Sequence, residues 1–305
     1  MTKLEHKHLL TGEELSYQEI SSLLHDASEM KRERASGHLS PLLKGQHLCL
    51  LFDKPSLRTR VSFTVAMHEL GGSVVESVAA TRKREEPEDL ARVLSGYCHG
   101  VVIRTHSDES LNRMARASSI PIINGLSDHH HPCQVLADLL TLQEAFGGLE
   151  GLKVTYIGDG NNILHSLLLL APMMGVHLHY CCPDTREPEG AILMRATARA
   201  QVSFGSITRG HSPLSSAKEA HAIYTDVWAS MGFEAQANDG LFAGFQVTES
   251  IMAEALPKAL FMHCLPMCRG KEVSHDLPDQ KTSVIFQQSE NRLHIQKALL
   301  AALLQ

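Results

Sequence analysis

Runs of β-branched and aliphatic residues recur along the chain, and stretches with apolar positions three and four apart lie between most of them. The runs predict strands at 47–52, 73–78, 101–105, 121–124, 153–158, 177–182, 202–208, 222–228, 260–264 and 283–286. Near-continuous apolar strands alternating with helices specify parallel sheets covered on both faces. The first helix is announced by a capping box, Ser16-Tyr17-Gln18-Glu19, and by an apolar stripe of Ile20, Leu23, Leu24 and Ala27. Further helices are expected over 61–70, 131–146, 163–174 and 290–304. The expected class is α/β, with two domains that each hold a mainly parallel sheet flanked by helices. Glycines at 147, 148 and 151 close the helix over 131–146 and place the boundary there. The expected domains are therefore 1–146 and 147–289, followed by a closing helix in 290–305.

The chain has 305 residues, 43% hydrophobic and 20% charged, enough to bury two ordinary cores. A formal charge of −6 argues against general nucleic-acid binding. Seven cysteines, an odd number without a pair of CxxC motifs, read as reduced thiols of a cytoplasmic protein. The N-terminal residues carry no apolar signal core. The longest apolar run, 167–176, is too short to span a membrane and contains Pro172.

Ligands of open α/β sheets sit beyond the carboxyl ends of strands, so polar residues just after strands are the candidates. Ser56, Leu57, Arg58, Thr59 and Arg60 follow the first strand at a helix start. They read either as a phosphate cradle of hydroxyls, guanidinium forks and free N–H groups, or as a solvated helix start. The spacing is not that of a Walker loop. Arg104 ends a strand, where a single arginine is equally a surface charge. Ser127 to Gln134 open a helix, with Pro132 in its first turn and with His131 and Gln134 on one face. Adjacent positions in His129-His130-His131 point to different sides, so we expect no metal there. Gly158-Asp159-Gly160-Asn161-Asn162 lacks the third glycine of a dinucleotide turn, yet it offers donors at a helix N-terminus. Asp226 and Cys264 follow strands in the second half. A free cysteine is more often a small buried hydrophobe, and Trp228 reads as packing.

Together these segments resemble the aspartate/ornithine transcarbamylase family over the whole chain, and its ornithine branch in particular. The phosphate signature Ser-Thr-Arg-Thr-Arg stands here as Ser56-Leu57-Arg58-Thr59-Arg60. His-Pro-x-Gln stands as His131-Pro132-Cys133-Gln134, and Asp-x-x-x-Ser-Met-Gly as Asp226 to Gly232. His-Cys-Leu-Pro stands as His263 to Pro266, and Glu-Asn-Arg as Glu290-Asn291-Arg292. The aspartate branch lacks the Ser-Met-Gly loop and this cysteine.

The resemblance implies transfer of a carbamoyl group from carbamoyl phosphate to the side-chain amine of ornithine, in arginine metabolism, with no cofactor and no metal. It implies a trimer or a multiple of trimers and a last helix that packs on the first domain. It assigns Ser56, Leu57 (backbone), Arg58 and Thr59 to phosphate, and Arg104 and His131 to the carbonyl oxygen. Gln134 takes the carbamoyl NH₂, Arg292 closes over the donor, and Cys264 and Leu265 lie beside it. Asp226 takes ornithine's α-ammonium. Asn162, Ser230 and Met231 take its carboxylate, and Cys264 orients the reacting amine. Arg104, His131, Asp226 and Cys264 are the expected catalytic group, and an anion pocket is expected to face an amino-acid pocket.

Two positions depart from the pattern. Leu57 removes one hydroxyl, and Ala80 stands where relatives usually carry Gln, His or Lys. Arg82, Lys83 or Arg84 substitute for it, or form a solvated charge run. Three rivals stay open at this point: another amine acceptor, a non-catalytic binding protein, and a nucleotide-dependent oxidoreductase.

Overall fold

A computed structural model describes residues 2–53, 55–78, 85–228 and 239–305. Ser16 caps the first helix, α1 (Tyr17–Ala35), and the capping box closes both ways: the Glu19 amide donates to Ser16 Oγ at 3.3 Å, and the Ser16 amide to Glu19 Oε2 at 2.8 Å. Such a cap stabilises a helix by about 1 kcal/mol. Its stripe of Ile20, Leu23, Leu24 and Ala27 is wholly buried.

Contacts group the chain into two units, Met1–Leu140 with Glu290–Gln305, and Thr141–Ser289. The division falls inside one continuous helix, α5 (Pro132–Phe146), upstream of the glycines. The first unit is built on β1 (His47–Phe52), β2 (Ser73–Val78), β3 (Gly100–Arg104) and β4 (Ile122–Leu126). They run in the order β2-β1-β3-β4, every pair parallel. Helices α2 (Leu57–Glu69), α3 (Pro87–Ser95) and α4 (Asp108–Ala117) connect them. Leu9 lengthens the β4 edge, donating to the Ile122 carbonyl at 3.0 Å and accepting from the Asn124 amide at 2.7 Å.

The second unit holds β5 (Lys153–Ile157), β6 (His177–Cys181), β7 (Ser206–Arg209), β8 (Ala222–Thr225) and β9 (Leu260–His263), in the parallel order β7-β6-β5-β8-β9. Helices α6 (Asn162–Leu170), α7 (Gly190–Ala200), α8 (Pro213–Ala217) and α9 (Glu249–Glu254) accompany it. Ile157, Ile223, Val247, Phe261 and Leu277 form part of its core. The final helix, α10 (Ile285–Leu304), supplies Glu290–Gln305 to the first unit. Among the described residues, no helix is long and apolar enough to cross a membrane.

The expected class, two α/β domains with parallel sheets, is the observed one. Three element expectations are corrected. The strand expected over 202–208 starts only at Ser206, because Val202 and Phe204 sit in an exposed turn. A Cβ at Gly205 would stand 2.3 Å from the Pro172 carbonyl oxygen, so the chain reaches the sheet only after that close passage. The strand expected over 283–286 is a single bridge from Ser283 to Phe261, and α10 starts at Ile285. Four apolar residues cannot distinguish a strand from a first helical turn. The helix expected over 163–174 ends at Leu170, since Pro172 has no N–H to continue it, and a 3₁₀ turn follows at Pro172–Met174.

Candidate active site

Each sheet has one place where its strand order reverses: between β1 and β3 in the first unit, and between β5 and β8 in the second. Crevices open at the carboxyl ends of strands at such points. Both groups of candidate residues lie there, one group on each unit.

In the first unit Ser56 takes the N-cap position of α2 with extended backbone (φ −157°, ψ 103°), but its hydroxyl does not cap the helix. It accepts instead from Arg104 Nη1 at 2.9 Å. One turn on, Thr59 Oγ1 accepts from Arg292 Nη2 of α10 at 2.6 Å. The amides of the first turn of α2 have no intrahelical partners, and the helix dipole makes that end positive. Leu57 is 75% exposed at this end, so its side chain contributes little to packing. Arg58 Nε has no hydrogen-bond partner in the protein.

Arg104 and His131 are buried. Burial, then the charges of Arg292 and Arg58, push Arg104 down to about 10, which leaves the guanidinium charged at neutral pH. Burial, then Arg292, Arg104 and Arg58, drive His131 well below the usual imidazole range. Three guanidinium groups therefore act on one neutral imidazole. Such a cluster stabilises a multiply charged anion through charge-assisted hydrogen bonds, and a neutral imidazole can donate to an oxygen without adding another cation.

Gln134 is fixed by a residue that sequence reasoning did not single out. Its Nε2 donates to Asp138 Oδ1 at 2.8 Å, which sets the amide orientation. Its Oε1 is buried with no hydrogen-bond partner in the protein. The segment before α5 is clamped to α4 by Asp108. Its Oδ1 accepts from Ser127 Oγ at 2.8 Å and pairs with His130 Nδ1 at 2.7 Å, and its Oδ2 accepts from the His129 amide at 3.2 Å. Burial works to raise the Asp108 carboxyl, but His130 and Ser127 outweigh it and hold it below the usual range. In the histidine run, His130 thus serves this clamp while His131 meets the arginines.

In the second unit Asp226 follows β8 and is buried. Its Oδ2 accepts from Asn161 Nδ2 at 2.7 Å, and its Oδ1 accepts from Cys264 Sγ at 3.0 Å. Asn161 is the N-cap of α6, and its Oδ1 accepts from the Ile163 and Leu164 amides at 3.0 and 3.3 Å. The cap leaves the NH₂ group to face Asp226. Sequence reasoning singled out Asn162, which is buried as the first residue of α6. Asn161, which it passed over, was accessible from N-cap preference alone.

Ligand-capable atoms of Asp226, His263 and Cys264 lie within 4.8 Å of one another. His263 Nδ1 accepts from the Leu265 amide at 2.9 Å, so its proton sits on Nε2, which faces Glu272 Oε1 at 3.2 Å. Both ring nitrogens are thus engaged in holding the 263–272 loop, and within the trio Cys264 and Asp226 bond to each other. Leu265 is held in the left-handed region (φ 59°), a conformation that costs a non-glycine residue about 1 kcal/mol or more and that clusters at functional loops. Trp228 stacks on Phe242, with centroids 5.0 Å apart and planes at 6°. The positions expected at Ser230 and Met231, with Gly232, and those at Ala80, Arg82, Lys83 and Arg84, lie outside the described residues.

The Gly158–Asn162 turn is occupied by protein. A Cβ at Gly160 would stand 2.4 Å from the Arg186 carbonyl oxygen, so this glycine serves a close backbone approach.

One all-parallel α/β unit carries an anion cradle and the other an acid–thiol pair, and the proteins this chain matches are group-transfer enzymes. The chain belongs to the aspartate/ornithine carbamoyltransferase family: residues 7–144 match its carbamoyl-P binding domain, and residues 150–303 its Asp/Orn binding domain. An ornithine carbamoyltransferase of Anoxybacillus flavithermus is 45% identical over 99% of this chain and 98% of its own length. An anabolic ornithine carbamoyltransferase of Pyrococcus furiosus is 42% identical over 99% of this chain and 97% of its own. The solved structure of ornithine carbamoyltransferase from Pyrococcus furiosus superimposes with a TM-score of 0.96, at 41% identity, over 100% of this chain and 99% of that one.

Proposed function

We propose that this chain transfers the carbamoyl group of carbamoyl phosphate to the side-chain amine of L-ornithine, giving L-citrulline and phosphate. The observation that carries this reading is the neutral His131 beside Arg58, Arg104 and Arg292, because a dianionic acyl donor needs that balance of charge. Ser56, the Leu57 amide, Arg58 and Thr59 hold the phosphate, and Arg292 closes over the donor. Arg104 and His131 stabilise the negative charge that develops on the carbonyl oxygen, which is usually the largest catalytic contribution. Gln134 Oε1, oriented by Asp138, accepts from the carbamoyl NH₂, and Cys264 and Leu265 lie beside that group.

On the acceptor side Asp226 pairs with the α-ammonium, and Asn162, Ser230 and the Met231 backbone take the carboxylate. Cys264 orients the side-chain amine, which must lose its proton before it attacks. An unperturbed alkylamine titrates near ~10.4, so without help most of it is inert at neutral pH. Attack gives a tetrahedral intermediate, and collapse expels phosphate. The chemistry requires donor and acceptor within bonding distance, which in good cases supplies effective molarities of about 10⁵ M or more. No metal or organic cofactor enters the scheme.

We assign the chain to the cytoplasm, to the arginine-biosynthetic direction and to a homotrimer or a multiple of one. Seven free cysteines agree with a reducing compartment. The deciding experiment is citrulline-type product formation with ornithine, N-acetylornithine, putrescine and aspartate as competing acceptors. Ornithine should win by a factor on the order of 10³ or more, because a site built for polar groups rejects analogues that leave them unpaired. Preference for any other acceptor would overturn the reading. Sedimentation equilibrium checks the trimer.

A further inference from the structure

We infer that Asp159 and Arg186, neither of which carries a role in the reaction above, form a positioning pair that sets the charge and geometry of Asp226 in the acceptor half-site. The inference rests on the proposed reading of that half-site.

Asp159 sits in the turn between β5 and α6 and is only 4% exposed. Arg186 grips it with both prongs, Nε to Oδ1 and Nη2 to Oδ2, each at 2.7 Å. The backbone answers in the same place, since the Gly160 amide donates to the Arg186 carbonyl at 2.8 Å. The segment carrying Arg186 is itself latched. Arg209 donates to Glu187 Oε1 at 2.8 Å and to Asp184 Oδ1 at 2.6 Å, and the Glu189 amide donates to His165 Nε2 at 3.0 Å. Tyr156 ties the turn down from beneath, donating its hydroxyl proton to the Asp159 carbonyl at 2.9 Å. The residue that follows Gly160 is Asn161, whose amide holds Asp226.

Two consequences follow. Pinning Asp159 fixes the turn from which Asn161 reaches Asp226. Pairing Asp159 with a guanidinium also balances the charge of a second carboxylate near Asp226, which leaves Asp226 to meet an ammonium. Among the described residues, Asp159, Asp226, Cys182 and Cys264 all act electrostatically on the buried Tyr156 beneath this turn, and His263 lies with Cys264 beside Asp226. Among these named groups none is a fixed cation, so Arg186 is the compensating charge. Burial, partly opposed by Arg186, and the nearby Asp226 already raise the Asp159 carboxyl above its ordinary range. Without Arg186 the largest contribution opposing that rise of Asp159 would be gone.

The test compares the full-length protein with Arg186→Met, Arg186→Lys and the double variant Asp159→Asn/Arg186→Met, each checked for folding by circular dichroism. Arg186→Met should raise KM for ornithine about tenfold, the equivalent of one pKa unit of lost charge balance, with KM for carbamoyl phosphate within about twofold. Removing the orphaned carboxylate in the double variant should bring KM for ornithine back to within about threefold of the parent, a rescue that lost packing alone does not produce. Arg186→Lys keeps the charge without the fork and should fall between. A second readout does not depend on ornithine: the rate of Cys264 alkylation by iodoacetamide, followed by peptide mass spectrometry. An extra anion disfavours the thiolate, so Arg186→Met should slow it several-fold and the double variant should restore it. If the parent makes no citrulline, the proposed function fails while the alkylation comparison still judges the pair. Unchanged KM and alkylation in Arg186→Met, or a double variant as impaired as the single, would overturn the inference.

Discussion

Arg292, in the last helix, donates to the Thr59 hydroxyl at 2.6 Å across 233 residues of sequence. The donor half-site is therefore closed only when the chain's final segment has joined its first unit. Lys297, one turn and a half further along, repeats the attachment with an ion pair to Glu69 at 2.8 Å. Arg292→Lys keeps a cation but cannot reproduce the planar fork. We expect kcat/KM for carbamoyl phosphate to fall about 10–100-fold, the range for a lost hydrogen bond to a charged group. Little change in kcat/KM would mean that Arg292 is structural.

Arg58 offers a cleaner probe, because its Nε makes no hydrogen bond in the protein and its loss removes no visible support. Arg58→Ala should leave the melting temperature nearly unchanged and lower kcat/KM for carbamoyl phosphate on the order of 10²–10³-fold, since contacts to a leaving phosphate strengthen in the transition state. Steady-state kinetics with circular dichroism melts decide it. Wild-type kcat/KM would rule out a phosphate role.

Cys264 donates to Asp226, so its removal disturbs the acceptor half-site before the donor one. Cys264→Ala should raise KM for ornithine and lower kcat, with a combined loss of about 10–100-fold. KM for carbamoyl phosphate should move much less. Equal losses for both substrates would contradict the assignment.

The fold was legible where burial was complete. Strand β1 appears at its expected limits because residues 48–52 form an unbroken apolar run, buried throughout. Elements went wrong where apolar residues are exposed, as at Val202 and Phe204, or where a run is too short for its period to show, as at 283–286. In the site, Ser56 and Asp226 were visible from their places just after strands. Asp138 was within reach, four residues from Gln134 on the same helical face. Arg186 was not, because nothing local marks a partner 27 residues away in sequence.

Acid stability provides a last prediction, independent of activity. His294 lies in α10 with only 1% of its side chain exposed, and Glu290 is 3.6 Å away, too far for a hydrogen bond. Neither ring nitrogen has a hydrogen-bond partner. Burial, then the charge of Lys31, pushes its pKa down to about 4, against a weaker opposing pull from Glu290. In the unfolded chain the same imidazole takes its proton near ~6.5. Between those values the unfolded state binds more protons, so stability is full above about pH 6.5 and is lost as pH falls toward 4. By pH 4, His294 accounts for about 3 kcal/mol of that loss. His8 and His131 act in the same direction, His8 being pushed to about 4 by burial and then by Lys7. Urea midpoints measured from pH 7 to pH 4 should decline in the parent and decline less steeply in His294→Leu, which has no proton to take up. The same decline in both would remove His294 from the account.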